Sequence, residues 1–281
     1  MNQKKPSFKD ILTVVPENKR LLLPKGFQRI GDIAVLNLKP EVMDYGETIG
    51  KLILKNFPYI RSVCVKTDRI SGEFREPSIR VVAGDKNTVT LHRENHCIFK
   101  IDVSKLMFSK GNLYERGRIP KLVKAGEIIV DMFAGIGYFS IPIAKLSQAK
   151  KVYSIEKNPV AYSFLLENIK LNRVEKKIIP ILGDCRKVSI PDKADRVLMG
   201  YLPETHKYLP FAFRFLKTKG IIHYHDIFHR KELWNKPEKI LHEYAEKSGF
   251  EVVCIAYKRK VKSYAPNIFH VSMDVEVRTI R

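Results

Sequence analysis

The chain has 281 residues, 44% of them hydrophobic and 29% charged, which excludes an intrinsically disordered protein and suffices for one large domain or two ordinary ones. Lys and Arg number 51 against 30 Asp and Glu, which gives a formal net charge of +21. Because such an excess concentrates polyanions around a protein, it favours a nucleic-acid partner; a heat-adapted surface, the alternative, usually gains charges of both signs.

The cysteines and the N-terminus narrow the class of protein further. Cys64, Cys97, Cys185 and Cys254 lie far apart, without the paired spacing of a zinc knuckle or a disulfide scaffold. Residues 1–6 lack the apolar core of a signal sequence, and no apolar run approaches the roughly 20 residues that cross a bilayer. We therefore expect a cytoplasmic protein, and we expect it to be a monomer.

The elements predicted up to residue 105 belong to a small α+β domain. Short apolar and β-branched runs predict strands at 32–38, 62–66, 79–82 and 88–92. One longer segment, 40–56, predicts a helix among them. We therefore predict a first domain over residues 1–105.

After residue 105, strand-like and helix-like segments alternate. Strands are predicted at 127–132, 151–156, 177–182, 196–199 and 221–225, and helices at 138–147, 160–172, 206–216 and 237–248. This alternation predicts an α/β domain with a parallel, doubly wound sheet, whose ligands bind at the carboxyl ends of the strands. Two final strands, 251–257 and 269–277, have no helix between them and predict a terminal antiparallel hairpin. The second domain is therefore predicted over 106–281.

A glycine-rich segment, 131–137, joins the first strand of this domain to its first helix. It begins with Asp131 and contains Gly135 and Gly137, which let the backbone approach a ligand closely. Acidic residues also follow the next two strands, as Glu156 ends one and Asp184 comes after the other. A carboxylate at the end of the second strand is placed to bind ribose hydroxyls.

The charge of this pocket indicates which nucleotide it binds. Ser140 stands at the third glycine position of the dinucleotide pattern, and Asp131 at the head of the loop would repel a pyrophosphate. S-adenosylmethionine carries a cationic sulfonium and an amino group but no phosphate, so three carboxylates favour it over NAD. A glycine-rich turn alone also fits an ordinary tight junction between a strand and a helix.

In segment 131–137, Glu156 and Asp184, the chain resembles the class I (Rossmann-like) methyltransferase fold. More narrowly, it is similar to archaeal tRNA enzymes that act on the purine just 3′ of the anticodon. These are the guanosine N1-methyltransferases and the wybutosine-pathway aminocarboxypropyltransferases. Further segments extend the resemblance over nearly the whole chain: 30–36, 90–95, 108–112, 115–116 and 261–266. His96 departs from the pattern, because the family has glycine there.

The segment after the fourth strand distinguishes the two branches of this family. It reads Gly-Tyr-Leu-Pro at 200–203, whereas the base methyltransferases have an Asn before Leu-Pro. Tyr201 in place of that Asn, together with Gly-Asn at 111–112, resembles the aminocarboxypropyl branch.

The resemblance implies a reaction and a set of site residues. The 3-amino-3-carboxypropyl group of S-adenosylmethionine would move to C7 of 4-demethylwyosine at position 37 of tRNA(Phe), releasing methylthioadenosine, in the synthesis of wybutosine derivatives. Cofactor-binding roles are implied for Ser109 and Arg116 at the methionine end, Asp131, Phe133 and Gly135 in the loop, Glu156 at the ribose, and Asp184 and the backbone of Cys185 at the adenine. Tyr201 and Pro203 would form the lip for the target base.

Alternatives remain for the function and for two of these residues. The chain could be the tRNA guanosine N1-methyltransferase, or a non-catalytic tRNA-binding protein that retained a nucleotide pocket. Arg116 could be an exposed surface cation, and Tyr201 could be a packing aromatic.

Two further groups of residues suggest ligands. His223 and His225 face the same side of a strand near Asp226 and His229, but histidines alone do not establish a metal site, and we expect no metal. Lys258, Arg259, Lys260 and Lys262 form a basic run on the predicted hairpin. A solvated face is one interpretation of this run; we predict instead that these four residues bind the tRNA backbone.

Overall fold

The computed structural model describes residues 8, 14–68 and 72–280. The chain divides into two compact units, one with residues 1–94 and 98–110 and one with residues 95–97 and 111–281. The N-terminal residues 1–6, for which we expected no signal sequence, lie outside the described residues.

A four-stranded sheet in the order β1-β2-β3-β4 forms the first unit. Its strands are β1 (Gln28–Ile30), β2 (Ile33–Leu36), β3 (Ser62–Lys66) and β4 (Ile79–Gly84). Helix α1 (Gly46–Asn56) buries Ile49 and Ile53 in the same hydrophobic cluster as Val63 and Val65 of β3. A two-stranded sheet of β5 (Val89–Glu94) and β6 (Cys97–Asp102) follows.

This unit is the small α+β part that the sequence predicts. Strand β3 spans the predicted residues, and the predicted helix begins with a 3-10 turn, Pro40–Tyr45, that continues into α1. Strands β1 and β6 are not among the predicted elements. The three residues of β1 are too few for an alternating pattern to be recognised.

A seven-stranded sheet in the order β12-β13-β11-β10-β7-β8-β9 forms the second unit. Its strands are β7 (Ile128–Asp131), β8 (Lys151–Glu156), β9 (Ile178–Leu182), β10 (Ala194–Met199), β11 (Leu216–His229), β12 (Phe250–Ala265) and β13 (Ile268–Thr279). The neighbours from β11 to β9 are parallel, and β13 is antiparallel to both β11 and β12. The predicted doubly wound sheet with a terminal antiparallel hairpin is confirmed.

The helices described in this unit are α2 (Leu113–Leu122), α3 (Ser140–Leu146), α4 (Pro159–Asn172), α5 (Leu209–Phe215) and α6 (Asn235–Lys247). Helix α4 has the clearest start, because the side chain of Asn158 accepts hydrogen bonds from the N–H groups of Val160 and Ala161. Helices α5 and α6 add Phe213 and Leu241 to the cluster formed with the sheet. In the described part of the chain, none of the helices combines the length and the apolar character needed to span a membrane.

Helix α2 and the full length of the last three strands are absent from the prediction. The buried residues of α2 include Glu115 and Arg116, so no apolar stripe marks the helix. Strands β11, β12 and β13 contain the predicted segments 221–225, 251–257 and 269–277 and extend beyond them. Polar residues that face the interior explain why the hydrophobic period does not reveal α2.

Candidate functional site

Acidic side chains lie at the carboxyl ends of three neighbouring strands. Strand β7 ends at Asp131, β8 ends at Glu156, and Asp184 follows the last residue of β9 by two positions. Because β7, β8 and β9 are parallel neighbours, these ends lie along one edge of the sheet. This is the edge at which doubly wound sheets bind nucleotides.

The glycine-rich loop leaves β7 along this edge and is bonded to the next strand. Gly135 and Gly137 have φ values of 57° and 95°, which L side chains rarely adopt. Glu156 Oε2 accepts a hydrogen bond from the N–H of Gly135 at 2.6 Å, and Oε1 accepts one from Asn158 at 2.7 Å. A carboxylate has about four acceptor positions, so the partly exposed Glu156 can still accept from two ribose hydroxyls.

Asp131 supports the loop from inside. Its side chain is fully buried and accepts hydrogen bonds from Ser140 Oγ at 2.7 Å and from the N–H of Phe133 at 3.3 Å. Burial raises the pKa of Asp131 to about 6, and the nearby charge of Glu156 adds to this, although both hydrogen bonds oppose it. Ser140, the residue that breaks the dinucleotide pattern, therefore binds the carboxylate that would repel a pyrophosphate.

Asp184 has two basic neighbours. Its carboxylate accepts hydrogen bonds from Arg186 at 2.5 and 2.9 Å and lies 3.2 Å from Lys157 Nζ. The hydrogen bond from Arg186 holds the pKa of Asp184 well below its usual range. The next residue, Cys185, is buried, and burial raises the pKa of its thiol to about 12. The thiol is therefore neutral near pH 7 and is not a nucleophile, so only the backbone of Cys185 is suited to a ligand.

An aromatic cluster lies at the end of β10. The rings of Phe133 and Tyr201 stack with centroids 5.1 Å apart and planes 24° apart. Tyr208 meets both rings edge-on, at 5.0 Å from Phe133 and 5.7 Å from Tyr201. Pro203, two residues after Tyr201, is exposed. The sequence prediction missed Tyr208, although it follows the Gly-Tyr-Leu-Pro segment by only a few residues.

Helix α2 brings Arg116 into this unit. Arg116 is only 1% exposed, so the alternative of a surface cation is wrong. Asn112, four residues earlier, has a buried Oδ1 without a hydrogen-bond partner among the described residues. Asn112 is the N-cap of α2, so it lies about one helical turn before Arg116. Ser109 belongs to the first unit, and its role at the methionine end stays a prediction.

A buried polar network fixes α2 to the sheet. Arg118 donates to Glu115 at 2.8 and 3.0 Å and to Asp274 at 2.6 and 3.0 Å. Asp274 also bonds to His223 Nδ1 at 2.7 Å, while Tyr257 donates to Glu115 at 3.0 Å. Of the histidines considered for a metal, His223 belongs to this network and His225 bonds to His270 at 2.9 Å. Within 14–68 and 72–280 and at residue 8, no group of three or more His, Cys, Asp or Glu side chains has an arrangement that could hold a metal ion.

The basic run on the hairpin makes contacts within the unit. Lys258 forms an ion pair with Glu238 at 2.7 Å, and Lys260 lies 5.2 Å from the centre of the Phe269 ring. Arg259 lies over Tyr114, and the Lys262 side chain passes beside Gly111. The side chains of all four residues thus contact other residues of this unit. Their role in RNA binding stays a prediction.

A parallel sheet that offers carboxylates to a nucleotide at its carboxyl edge is the architecture of the class I S-adenosylmethionine-dependent transferases, and this chain has it. The chain belongs to the TRM5/TYW2 family. Residues 90–253 match the family model described as the TRM5/TYW2 methyltransferase domain, and residues 8–88 match the one described as the TYW2 N-terminal domain.

Named relatives and solved structures agree with this family. A tRNA(Phe) (4-demethylwyosine(37)-C(7)) aminocarboxypropyltransferase of Methanocaldococcus jannaschii is 44% identical over 90% of this chain and 98% of its own length. M. jannaschii TYW2 in complex with AdoMet superposes with a TM-score of 0.74 at 40% identity, covering 90% of this chain and 100% of that one. Pyrococcus horikoshii TYW2 in complex with MeSAdo has a TM-score of 0.83 at 38% identity, covering 98% and 99%.

The raised pKa of Asp131 predicts opposite effects of Asp131→Asn on stability and on cofactor binding. A folded-state pKa above the unfolded value gives stability that is complete below about pH 4 and is lost as the pH rises through about 6. The neutral amide avoids this loss, so at pH 8 the variant should be more stable by up to about 3 kcal/mol. It should bind S-adenosylmethionine more weakly, because the variant removes a negative charge behind the loop that attracts the cationic cofactor.

Thermal unfolding and calorimetric titration between pH 4.5 and 8 check both effects. The stability gain should grow with pH, and the wild-type affinity for the cofactor should fall below about pH 6 while that of the variant stays flat. Ser140→Ala, which removes one hydrogen bond and keeps the charge, is the matched control. If Asp131→Asn were less stable than the wild type at pH 8, ionisation of the buried Asp131 would not destabilise the fold, and this prediction would be wrong.

Proposed function

We propose that this protein transfers the 3-amino-3-carboxypropyl group of S-adenosylmethionine to C7 of 4-demethylwyosine at position 37 of tRNA(Phe) and releases methylthioadenosine. The observation that carries the proposal is the carboxylate edge of Asp131, Glu156 and Asp184 in a chain 44% identical to an enzyme named for this reaction. The bound MeSAdo of the P. horikoshii structure is the compound that this transfer leaves behind.

The nucleoside part of S-adenosylmethionine fits the acidic edge. Glu156 keeps acceptor positions for the ribose hydroxyls after bonding the N–H groups of Gly135 and Asn158. Asp184 and the backbone of Cys185 are suited to the adenine edge, with the amino group donating to the carboxylate. The ionised Asp131 adds negative charge behind the loop, which favours a cationic ligand.

The amino-acid part of the donor fits the start of α2. The planar guanidinium of Arg116 matches a carboxylate, and a buried arginine loses little freedom when it binds one. The buried Oδ1 of Asn112 can accept from an ammonium group, which would satisfy an otherwise unpaired acceptor. The carboxylate and the ammonium group, which share one carbon of the group to be transferred, therefore each have a complementary side chain at the start of α2.

The reaction needs positioning more than acid–base chemistry. A bond forms between C7 of the base and the methylene carbon next to sulfur on the amino-acid side. The bond from that carbon to sulfur breaks, its electron pair stays on sulfur, and C7 loses its proton. Because all three carbons on the sulfonium are electrophilic, the chain directs the reaction by which carbon it holds in line with the base. Arg116 holds the carbon chain, and the stacked rings of Phe133 and Tyr201 offer a surface to the tricyclic base.

The two domains have different roles in this proposal. Residues 106–281 carry out the transfer, and residues 1–105 help to position the tRNA, whose backbone is attracted by the net charge of +21. The target base lies in a single-stranded loop, so it must turn into the pocket but need not leave a duplex. We place the protein in the cytoplasm as a monomer.

The small product identifies the reaction. The protein is incubated with S-adenosylmethionine and with tRNA(Phe) that carries 4-demethylwyosine, and the nucleoside product is identified by mass spectrometry. We expect methylthioadenosine in amounts equal to the modified base. S-adenosylhomocysteine would instead identify a methyltransferase, and tRNA binding without either product would leave only a binding protein. The same tRNA with unmodified guanosine at position 37 is the control and should give no methylthioadenosine.

A further inference from the structure

An aromatic ring and a guanidinium form an exposed pair at the start of α2. Tyr114 is the second residue of that helix and is 53% exposed. The guanidinium carbon of Arg259, on β12, lies 3.8 Å from the centre of the Tyr114 ring. This distance is typical of a cation–π pair, and the side chain of Arg259 is 38% exposed, so both members of the pair are accessible to solvent.

Buried groups hold both members of this pair in place. Glu115, the neighbour of Tyr114, is fully buried, and its Oε1 lies 3.9 Å from Arg259 Nη1. The same oxygen accepts a hydrogen bond from Tyr257, two residues before Arg259 on the strand, at 3.0 Å. The pair is therefore already ordered in the protein. A ligand that stacks on it causes little further loss of conformational entropy in these two side chains.

The sheet register places Arg259 near the carboxyl edge of the parallel strands, where the acidic side chains lie. Arg259 is opposite Ser272, and Ser272 is opposite His225. The residue before His225, Tyr224, is opposite Met199, where β10 ends and the segment with Tyr201 begins. Strand β12 is three strands from β10 in the sheet, which corresponds to roughly 14 Å. Arg259 thus lies level with the edge on which the target base is modified, a short way along it.

We infer that Tyr114 and Arg259 form a stacking site for an unpaired nucleotide next to the modified base in the tRNA. Every nucleobase has a flat π face that can stack on a phenol ring or a guanidinium plane, and RNA loops present such bases. The positive charge of Arg259 also attracts the phosphate of that nucleotide. This inference rests on the proposed function for the identity of the RNA, and it assigns Tyr114 a role in binding but none in the transfer.

The test is tRNA binding by Tyr114→Ala at several salt concentrations. Because stacking of one base on an aromatic side chain accounts for about a 5- to 100-fold effect, the variant should bind tRNA more weakly within that range. Its affinity for S-adenosylmethionine should not change. The slope of affinity against salt should also stay the same, since no cation is removed, whereas Arg259→Gln should lower both the affinity and the slope. Tyr114→Phe should bind like the wild type, because the hydroxyl is not needed for stacking.

Leu171→Ala is the control. Leu171 is 41% exposed and lies at the end of α4, the helix that leads away from the carboxyl edge of the sheet. Its replacement should change tRNA affinity less than twofold. Unchanged tRNA binding by Tyr114→Ala, or an equal loss in Leu171→Ala, would overturn the inference. If either result is found and the wild type still forms methylthioadenosine, only the inference is wrong and the proposed function stands. If Tyr114→Ala loses tRNA affinity but the wild type forms no methylthioadenosine, only the proposed function is wrong.

Discussion

Glu156→Ala should weaken S-adenosylmethionine binding by about 10²- to 10⁴-fold, because two hydrogen bonds to a charged group, each contributing about 1.5–3 kcal/mol, are lost at the ribose. The same change removes the acceptor of the hydrogen bond from the N–H of Gly135 at 2.6 Å. The glycine-rich loop therefore also loses a hydrogen bond to the end of β8. The affinity for tRNA should stay within about twofold, since Glu156 lies at the nucleoside end of the site and a phosphate backbone is not attracted by a carboxylate.

Calorimetry with S-adenosylmethionine and filter binding with tRNA measure the two affinities separately. Glu204→Ala is the matched control, because it removes the same charge from the segment that follows β10. The side chain of Glu204 is exposed and forms an ion pair with Lys207. This variant should bind the cofactor like the wild type. Glu156→Gln should lie between the alanine variant and the wild type, since the amide oxygen can still accept from Gly135. Equal losses of cofactor and tRNA affinity in Glu156→Ala would contradict the role assigned to this residue.

The sequence predicts the acidic edge because the edge follows from topology. Once strands and helices alternate, the ends of neighbouring parallel strands must meet, and the side chains of Asp131, Glu156 and Asp184 are brought to one edge. Local rules suffice for each step: Pro159 and Asn158 begin α4, and β8 spans the predicted Lys151–Glu156. What the sequence cannot predict is which carboxylate faces the ligand. Asp131 instead bonds Ser140 inside the loop.

Helix α2 could not be predicted because its interior is polar. A hydrophobic period depends on apolar residues facing a core, whereas α2 buries Glu115 and Arg116. The partners of these residues come from strands more than a hundred positions later, such as Tyr257 and Ser272. Only the fold brings them together. The exposed pair of Tyr114 and Arg259 is hidden in the sequence for the same reason.

The buried network that holds α2 predicts a large loss of stability in Asp274→Asn. Asp274 accepts from both nitrogens of the Arg118 fork and from His223. Burial alone would raise the pKa of Asp274, but the hydrogen bonds from His223 and Arg118 outweigh it and hold the pKa well below its usual range. Replacing the carboxylate by an amide leaves the largely buried guanidinium of Arg118 with the carboxylate of Glu115 and the ring of Tyr257, which should cost about 3–5 kcal/mol of unfolding free energy.

The pH dependence of this loss separates a charge effect from a packing effect. A folded-state pKa below the unfolded one gives stability that is present above about pH 4 and is lost as the pH falls. The difference between wild type and Asp274→Asn, measured by denaturant unfolding, should therefore be largest at neutral pH and shrink below pH 4. Glu243→Gln, in an exposed pair with Lys239, removes the same charge and should change stability by less than about 0.5 kcal/mol. Because the hydrogen bonds from Arg118 to Asp274 fix α2, the helix that carries Arg116, the asparagine variant should also bind S-adenosylmethionine more weakly. A loss of stability that is the same at pH 3 and pH 7 would show that shape, and not the ion pair, fixes α2 to the sheet.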